Sequence, residues 1–287
     1  MLPLKRKSQL IWATTLASLA CSVQAQIRTN TNAGLDPVCG FTAGPHVYSQ
    51  SAQVTQGLAV DLIVGDAQVG QPTRFRFFVN QRPRGTPVDN LQVEHEKLMH
   101  VIGLREDLNE FFHIHPSKVS PGMWEVEHTF SRGGIYKLWA DLKEKGVSYS
   151  FGLPLVRVSK PTDTAHDSAS GGCVTNCSYQ IQFRENPALV VGRTNRLEFF
   201  LCDPLGNSTA AENFLGASMH LVIIKADLSE FLHAHPENHI AGESLIRFNQ
   251  LFAKPGKYKL FAQARPKLAK LPLDEAVLAE FWVTVRE

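Results

Sequence analysis

The sequence predicts an all-β chain of two tandem sandwich domains behind a signal peptide. Three observations predict it. Short apolar-alternating runs bounded by Gly, Pro, Asn and Arg turns fill residues 56–158. No stretch has the periodicity of a long amphipathic helix. The same order of runs then returns over 173–287, with a period far longer than a solenoid unit, so a whole domain is duplicated.

The leader comes first. Lys5-Arg6-Lys7 is a positive n-region, Leu10 to Val23 is mostly apolar, and Val23-Gln24-Ala25 is a small-residue cleavage site ahead of Gln26. Residues 1–25 are therefore expected to be a signal peptide and the protein to be periplasmic or secreted. The apolar core is too short to span a membrane and no other long apolar run follows it, so no membrane insertion is expected after its removal. A lipoprotein reading through Cys21 is disfavoured because Ser18 stands where that signal usually has Leu. The leader holds three of the 29 basic residues and none of the 27 acidic ones. The rest of the chain is then close to neutral, and it has no basic stripe to suggest nucleic acid.

Residues 26–55 read as an irregular arm. Domain 1, residues 56–158, has strand candidates at 58–64, 74–79, 97–105, 111–115, 123–130, 135–142 and 149–158. Gly70-Gln71-Pro72, Pro121-Gly122 and Arg132-Gly133-Gly134 punctuate them. Seven short strands in about 100 residues suggest an immunoglobulin-like or cupredoxin-like sandwich. Residues 159–172, rich in Ser, Thr, Asp and Gly, form a linker. In domain 2, residues 173–287, Arg196–Leu201 retraces Arg74–Val79 and Gly256–Ala262 retraces Gly134–Ala140.

The functional signal lies in a segment that occurs twice. Met99-His100 is followed by an apolar run, Asp107-Leu108-Asn109-Glu110-Phe111, and His113-Ile114-His115-Pro116. Met219-His220 is followed by an apolar run, Asp227-Leu228-Ser229-Glu230-Phe231, and His233-Ala234-His235-Pro236. Each is a hairpin signal. A turn centred between Glu106 and Asp107, or between Ala226 and Asp227, places His100 opposite His113 and His220 opposite His233. Opposed Cβ atoms lie roughly 4.5–5.5 Å apart. Side chains alternate faces with period two, so His115 joins His113, and His235 joins His233. Three converging imidazoles make the inner ligand set of a Cu²⁺ or Zn²⁺ site. Gly103 has become Ile223, Phe112 Leu232 and Ile114 Ala234, while all three histidines stand in each copy.

Position sorts the further candidate ligands. Met99 and Met219 fall on the opposite strand face and reach a metal only through a bulge. Asp141 stands where copy two has Gln263. His95, His128 and His239 have no counterparts in the other copy and read as peripheral, with His95 or His239 as a possible added ligand; His46 lies in the arm and His166 in the linker. The cysteines beyond the leader are Cys39, Cys173, Cys177 and Cys202. In an oxidising compartment an even count favours disulfides, Cys177 with Cys202 and Cys39 with Cys173; a Cys173/Cys177 thiolate pair is the rival. No cysteine falls within a histidine cluster, which argues against a blue-copper centre. No G-x-S-x-G, H-E-x-x-H or P-loop occurs.

The duplicated Met-His and His-x-His-Pro segments, with the later Pro255–Ala262 strand, resemble a group of exported bacterial proteins of cupredoxin-like or immunoglobulin-like build associated with copper handling. Asp36-Pro37-Val38-Cys39-Gly40 resembles the opening of the small cysteine-bearing modules found beside copper transport proteins, without their further cysteines. The expectation is a non-enzymatic carrier, buffer or sensor of copper first and zinc second, one ion per domain, whose partner is the metal ion and possibly another exported metal-handling protein. The competing expectations are an adhesion or partner-binding sandwich with structural histidines, and a metalloenzyme using Glu110, Glu230 or Asp141 as base.

Overall fold

The computed structural model describes residues 46–160, 179–184, 188–236, 244–272 and 275–287. The leader, Cys21, Cys39, Cys173, Cys177, His166 and His239 lie outside the described residues.

The chain is all-β and repeats one sandwich twice. In domain 1, one sheet carries Gly57–Val64, Pro72–Arg82, Met123–Thr129 and Ser117–Ser120 in that order. The alternation within Pro72–Arg82 builds it: Phe75, Phe77 and Val79 point inward with no exposure, while Arg74 and Arg76 pair outward with Glu125 and Glu127. The second sheet centres on Gly134–Glu144. Met99–Arg105 and then Phe111–Ile114 lie on one side of it; Val147–Gly152 and Val156–Ser159 lie on the other. Phe75, Phe77, Trp124, Phe130, Tyr136 and Phe151 fill the space between the sheets. Domain 2 sets Gln180–Arg184, Thr194–Cys202 and Leu245–Leu251 against a sheet of Leu189–Val190, Val277–Arg286, Gly256–Pro266, His220–Lys225 and Phe231–Ala234.

Two sequence expectations are corrected. The arm is not irregular throughout: His46–Gln50 is a strand that pairs in parallel with Val147–Gly152. The single strand expected over 149–158 is two, Val147–Gly152 and Val156–Ser159. They are interrupted at Leu153-Pro154-Leu155, where Pro154 has no N–H to give the ladder. Cys202 is buried at the end of Thr194–Cys202 with no disulfide partner among the described residues; Cys177, its expected partner, lies outside them.

Met99–Arg105 and His220–Lys225 are buried on both faces, and this positions the site. Met99 and Val101 face the core of domain 1. Ile102 and Leu104 face the other domain, where with Leu108 and Trp139 they form a third core against Val222, Ile224, Phe231 and Phe261. The interface is isologous in the sense of a two-fold dimer. Phe111 stacks on Phe261 with ring centroids 4.5 Å apart, and Phe231 stacks on Trp139 at 4.9 Å. Phe111 and Phe231 are equivalent in the repeat, as are Trp139 and Phe261, so this is one contact made twice about a pseudo-two-fold axis.

The repeat also explains one exchange of residues. Gly103 lies opposite Phe112 across the hairpin, and a Cβ on Gly103 would collide with the Phe112 ring. In copy two the same pair is Ile223 and Leu232. Gly103→Ile alone is expected to destabilise domain 1 by about 1–3 kcal/mol through overpacking. Adding Phe112→Leu should restore most of it. Denaturant melts of the single and double variants would show this coupling, and equal loss in both would exclude it.

Candidate metal centre

Each hairpin is turned by its Asp. Asp107 Oδ1 accepts from the Asn109 backbone N–H at 3.1 Å and Asp227 Oδ1 from the Ser229 N–H at 3.0 Å. Leu108 and Leu228 follow at φ 61° and 58°. Arg105 N–H donates to the Glu110 carbonyl across the loop, which centres the turn between Asp107 and Leu108, one residue later than expected. The register therefore moves by two residues: His113 lies opposite Ile102, not His100, and His233 lies opposite Val222. An even shift keeps every side chain on its face. The three histidines of each copy still gather.

The motif glutamates are structural. Tyr136 O–H donates to Glu110 Oε2 and the Ser131 N–H to Oε1; Tyr258 O–H and the Ala253 N–H do the same for Glu230. These bonds fasten each hairpin to the next loop. Burial, with the neighbouring carboxylate, raises the pKa of both tyrosines. Both oxygens of each glutamate are engaged by these donors.

His100, His113 and His115 form one group and His220, His233 and His235 another, with one nitrogen of each ring lying within 4.8 Å of the others in its group. Four of the rings have their outer nitrogen held. His100 Nε2 bonds the Glu94 carbonyl at 2.9 Å, and His220 Nε2 bonds that of Phe214 at 3.0 Å. His113 Nδ1 lies 3.0 Å from Gln263 Oε1, and His233 Nδ1 lies 2.9 Å from Asp141 Oδ2. These acceptors have no proton to give, so each nitrogen facing them carries the N–H and the inward nitrogen of each neutral ring is a bare lone pair. Among the inward atoms, His115 Nε2, His220 Nδ1, His233 Nε2 and His235 Nε2 are buried without any hydrogen-bond partner. His100 Nδ1 and His113 Nε2 face one another at 3.1 Å, two lone pairs that repel unless a cation stands between them.

Burial also keeps protons away. It lowers the pKa of His100 to about 4 and of His115 to about 3, with neighbouring rings adding to the effect. His113, His220 and His235 are pushed well below the ordinary histidine value by the same cause. Neutral imidazole is the form that ligates.

Asp141 and Gln263 both act across the interface, which the sequence did not disclose. Asp141, weighed as an extra ligand of the first triad, belongs to neither triad and instead orients His233 of the second. Gln263, at the matching place, orients His113 of the first. His95 also crosses over. It comes from domain 1 in a left-handed conformation, φ 50°, and stacks on His235 with centroids 3.4 Å apart, 5.8 Å from the ring of His220. Its position in copy two is Leu215, also at positive φ. Met99 and Met219 are not ligands: both are wholly buried in their domain cores, and Met99 sits in regular register with Leu142, without the bulge that would turn it. His128 stacks on Phe112 and His46 bonds Ser150.

The site thus belongs to a class: a two-domain all-β protein with histidine triads suited to metal ions on the facing sheets. The chain belongs to the family described as Domain of unknown function (DUF8832), whose model matches it twice, over residues 52–154 and 174–287. No curated protein matches the chain. Among solved structures it is similar to Escherichia coli alpha-2-macroglobulin (10% identity, 80% of this chain and 17% of that one, TM-score 0.25). It is also similar to the three N-terminal domains of the bacteriophage RB49 highly immunogenic outer capsid protein (11%, 80% and 59%, TM-score 0.19). A third is the set of fibronectin(III)-like modules of Clostridium thermocellum CbhA (11%, 79% and 92%, TM-score 0.22). The chain spans less than two thirds of the length of the first two.

Proposed function

We propose that the protein is an exported, non-enzymatic metal-binding protein, a carrier, buffer or sensor that holds one copper or zinc ion on each histidine triad and passes it to another exported metal-handling protein. One observation carries this reading. Six buried imidazole nitrogens, three per domain, point inward with no protein donor to satisfy them. Unsatisfied buried polar atoms are costly and rare, and one cation on each triad satisfies its three nitrogens.

The donor set favours copper. Affinity of imidazole sites for divalent ions peaks at Cu²⁺. The one described cysteine, Cys202, ends a strand of the sheet opposite the triad sheet. The carboxylates that would serve an enzyme are otherwise engaged: Glu110 and Glu230 by tyrosines, Asp141 by His233. Export rests on the residue 1–25 leader.

Titration tests the reading. The chain without its leader, stripped by chelator, should bind two Cu²⁺ or Zn²⁺ ions by calorimetry and elemental analysis. Its melting temperature should rise with metal, since an ion at 100 times its Kd stabilises by about 2.7 kcal/mol. A chain that takes up no metal and melts unchanged would leave the histidines structural.

A further inference from the structure

Resting on that metal-binding reading, we propose that the two triads are halves of one binuclear copper centre whose ions share a small bridging oxygen ligand. The sequence assigns one site to each domain. The structure sets them against each other.

Ring centroids within a triad lie 4.7–5.7 Å apart. Across the triads His113 and His233 are 5.3 Å apart, His100 and His233 5.6 Å, His113 and His220 5.8 Å, and His100 and His220 6.4 Å. The separation between sites is hardly wider than the width of one. Ions bound there are neighbours, close enough to share a small ligand. Neither site is complete within its own domain either, because Gln263 holds a ring of the first triad and Asp141 a ring of the second. The pseudo-two-fold that pairs Phe111/Phe261 with Phe231/Trp139 also relates the triads.

Charge points to the bridge. Two adjacent Cu²⁺ ions repel strongly at low dielectric, and six neutral imidazoles offer no compensating charge. Asp141 supplies one negative charge, on one side. A hydroxide between the ions supplies a second where it is most effective. It forms when one water bridges the two ions and loses one proton to solvent, with no electron transferred. The class of ligand is a small monoanion, and the site's burial excludes larger ones.

Copper and spin counts on the same sample test this. The chain reconstituted with copper(II) sulfate should hold two coppers yet show an electron paramagnetic resonance intensity far below its copper content, because ions sharing a hydroxide couple their spins. His220→Ala/His235→Ala and, independently, His113→Ala/His115→Ala should each hold one copper with full intensity. Two coppers at full, uncoupled intensity in the native chain would overturn the binuclear centre and leave the separate-site reading standing. A native chain that binds no copper would overturn both.

Discussion

A His113→Ala/His115→Ala chain will bind one metal ion where the native chain binds two, and the remaining ion will sit on His220, His233 and His235. The substitution leaves His100 as the lone imidazole of the first triad. A single histidine does not hold a first-row ion against water and buffer. Affinity at that site should fall by far more than the ~10–100-fold typical of losing an orienting partner. The metal-free protein should melt close to the native temperature, for two opposing reasons. Gln263 Oε1 loses its donor, a cost of about 1–3 kcal/mol for an acceptor that stays dry. Against this, the variant removes the lone pair that faces His100 Nδ1 and the buried unpartnered His115 Nε2. The metal-dependent rise in melting temperature should therefore shrink while the metal-free value holds. Full stoichiometry in this variant would mean that the ions bind elsewhere.

How much of this was legible follows from what each residue's signal depends on. The strands of domain 1 and the all-β class were readable because alternation is local: Phe75, Phe77 and Val79 declare their face within one strand. The triads were readable because the segment repeats and because period two forgives an even error, so a turn misplaced by one residue changed the partners of His113 and left its face alone. The convergence of the triads was not readable. It depends on which outer faces meet, and its trace in the sequence is the unbroken apolar runs Val101-Ile102-Gly103-Leu104 and Leu221-Val222-Ile223-Ile224. Strands apolar on both faces are covered on both faces, and here the second cover is the other domain. Asp141, Gln263 and His95 act only through that contact. Their own sequence context gives Asp141 and Gln263 as unmatched residues of equivalent strands, and His95 as a loop histidine with no repeat.

Acid should unfold the metal-free protein and empty the loaded one, at lower pH than free imidazole would suggest. From sequence alone, release is expected below about pH 6, where ordinary histidine protonates. In the fold the pKa of His100 is near 4 and that of His115 near 3, with His113, His220 and His235 also depressed. The charged groups that face these rings come from both domains: Asp141 favours a charge on His100, Lys97 opposes one on His100 and His115, His95 opposes one on His220 and His235, and the neighbouring rings oppose charge throughout. Above pH 6.5 folded and unfolded chains both carry neutral rings and stability is complete. Below it the unfolded chain takes up protons that the folded chain refuses, so stability falls with falling pH down to the folded values. Each pH unit in that window removes about 1.4 kcal/mol for each refused proton. With five such rings the metal-free melting temperature should drop by more than ~10 °C between pH 7 and pH 5. Bound metal competes with protons for the same lone pairs, so the loaded protein should retain its ions at pH 5.5 and release them only as the folded pKa values are approached. Dialysis against a pH series, with metal content and near-ultraviolet circular dichroism read on each sample, separates release from unfolding. Metal lost at pH 6 from a protein still folded would mean that the rings are open to solvent and that the interface does not shield them.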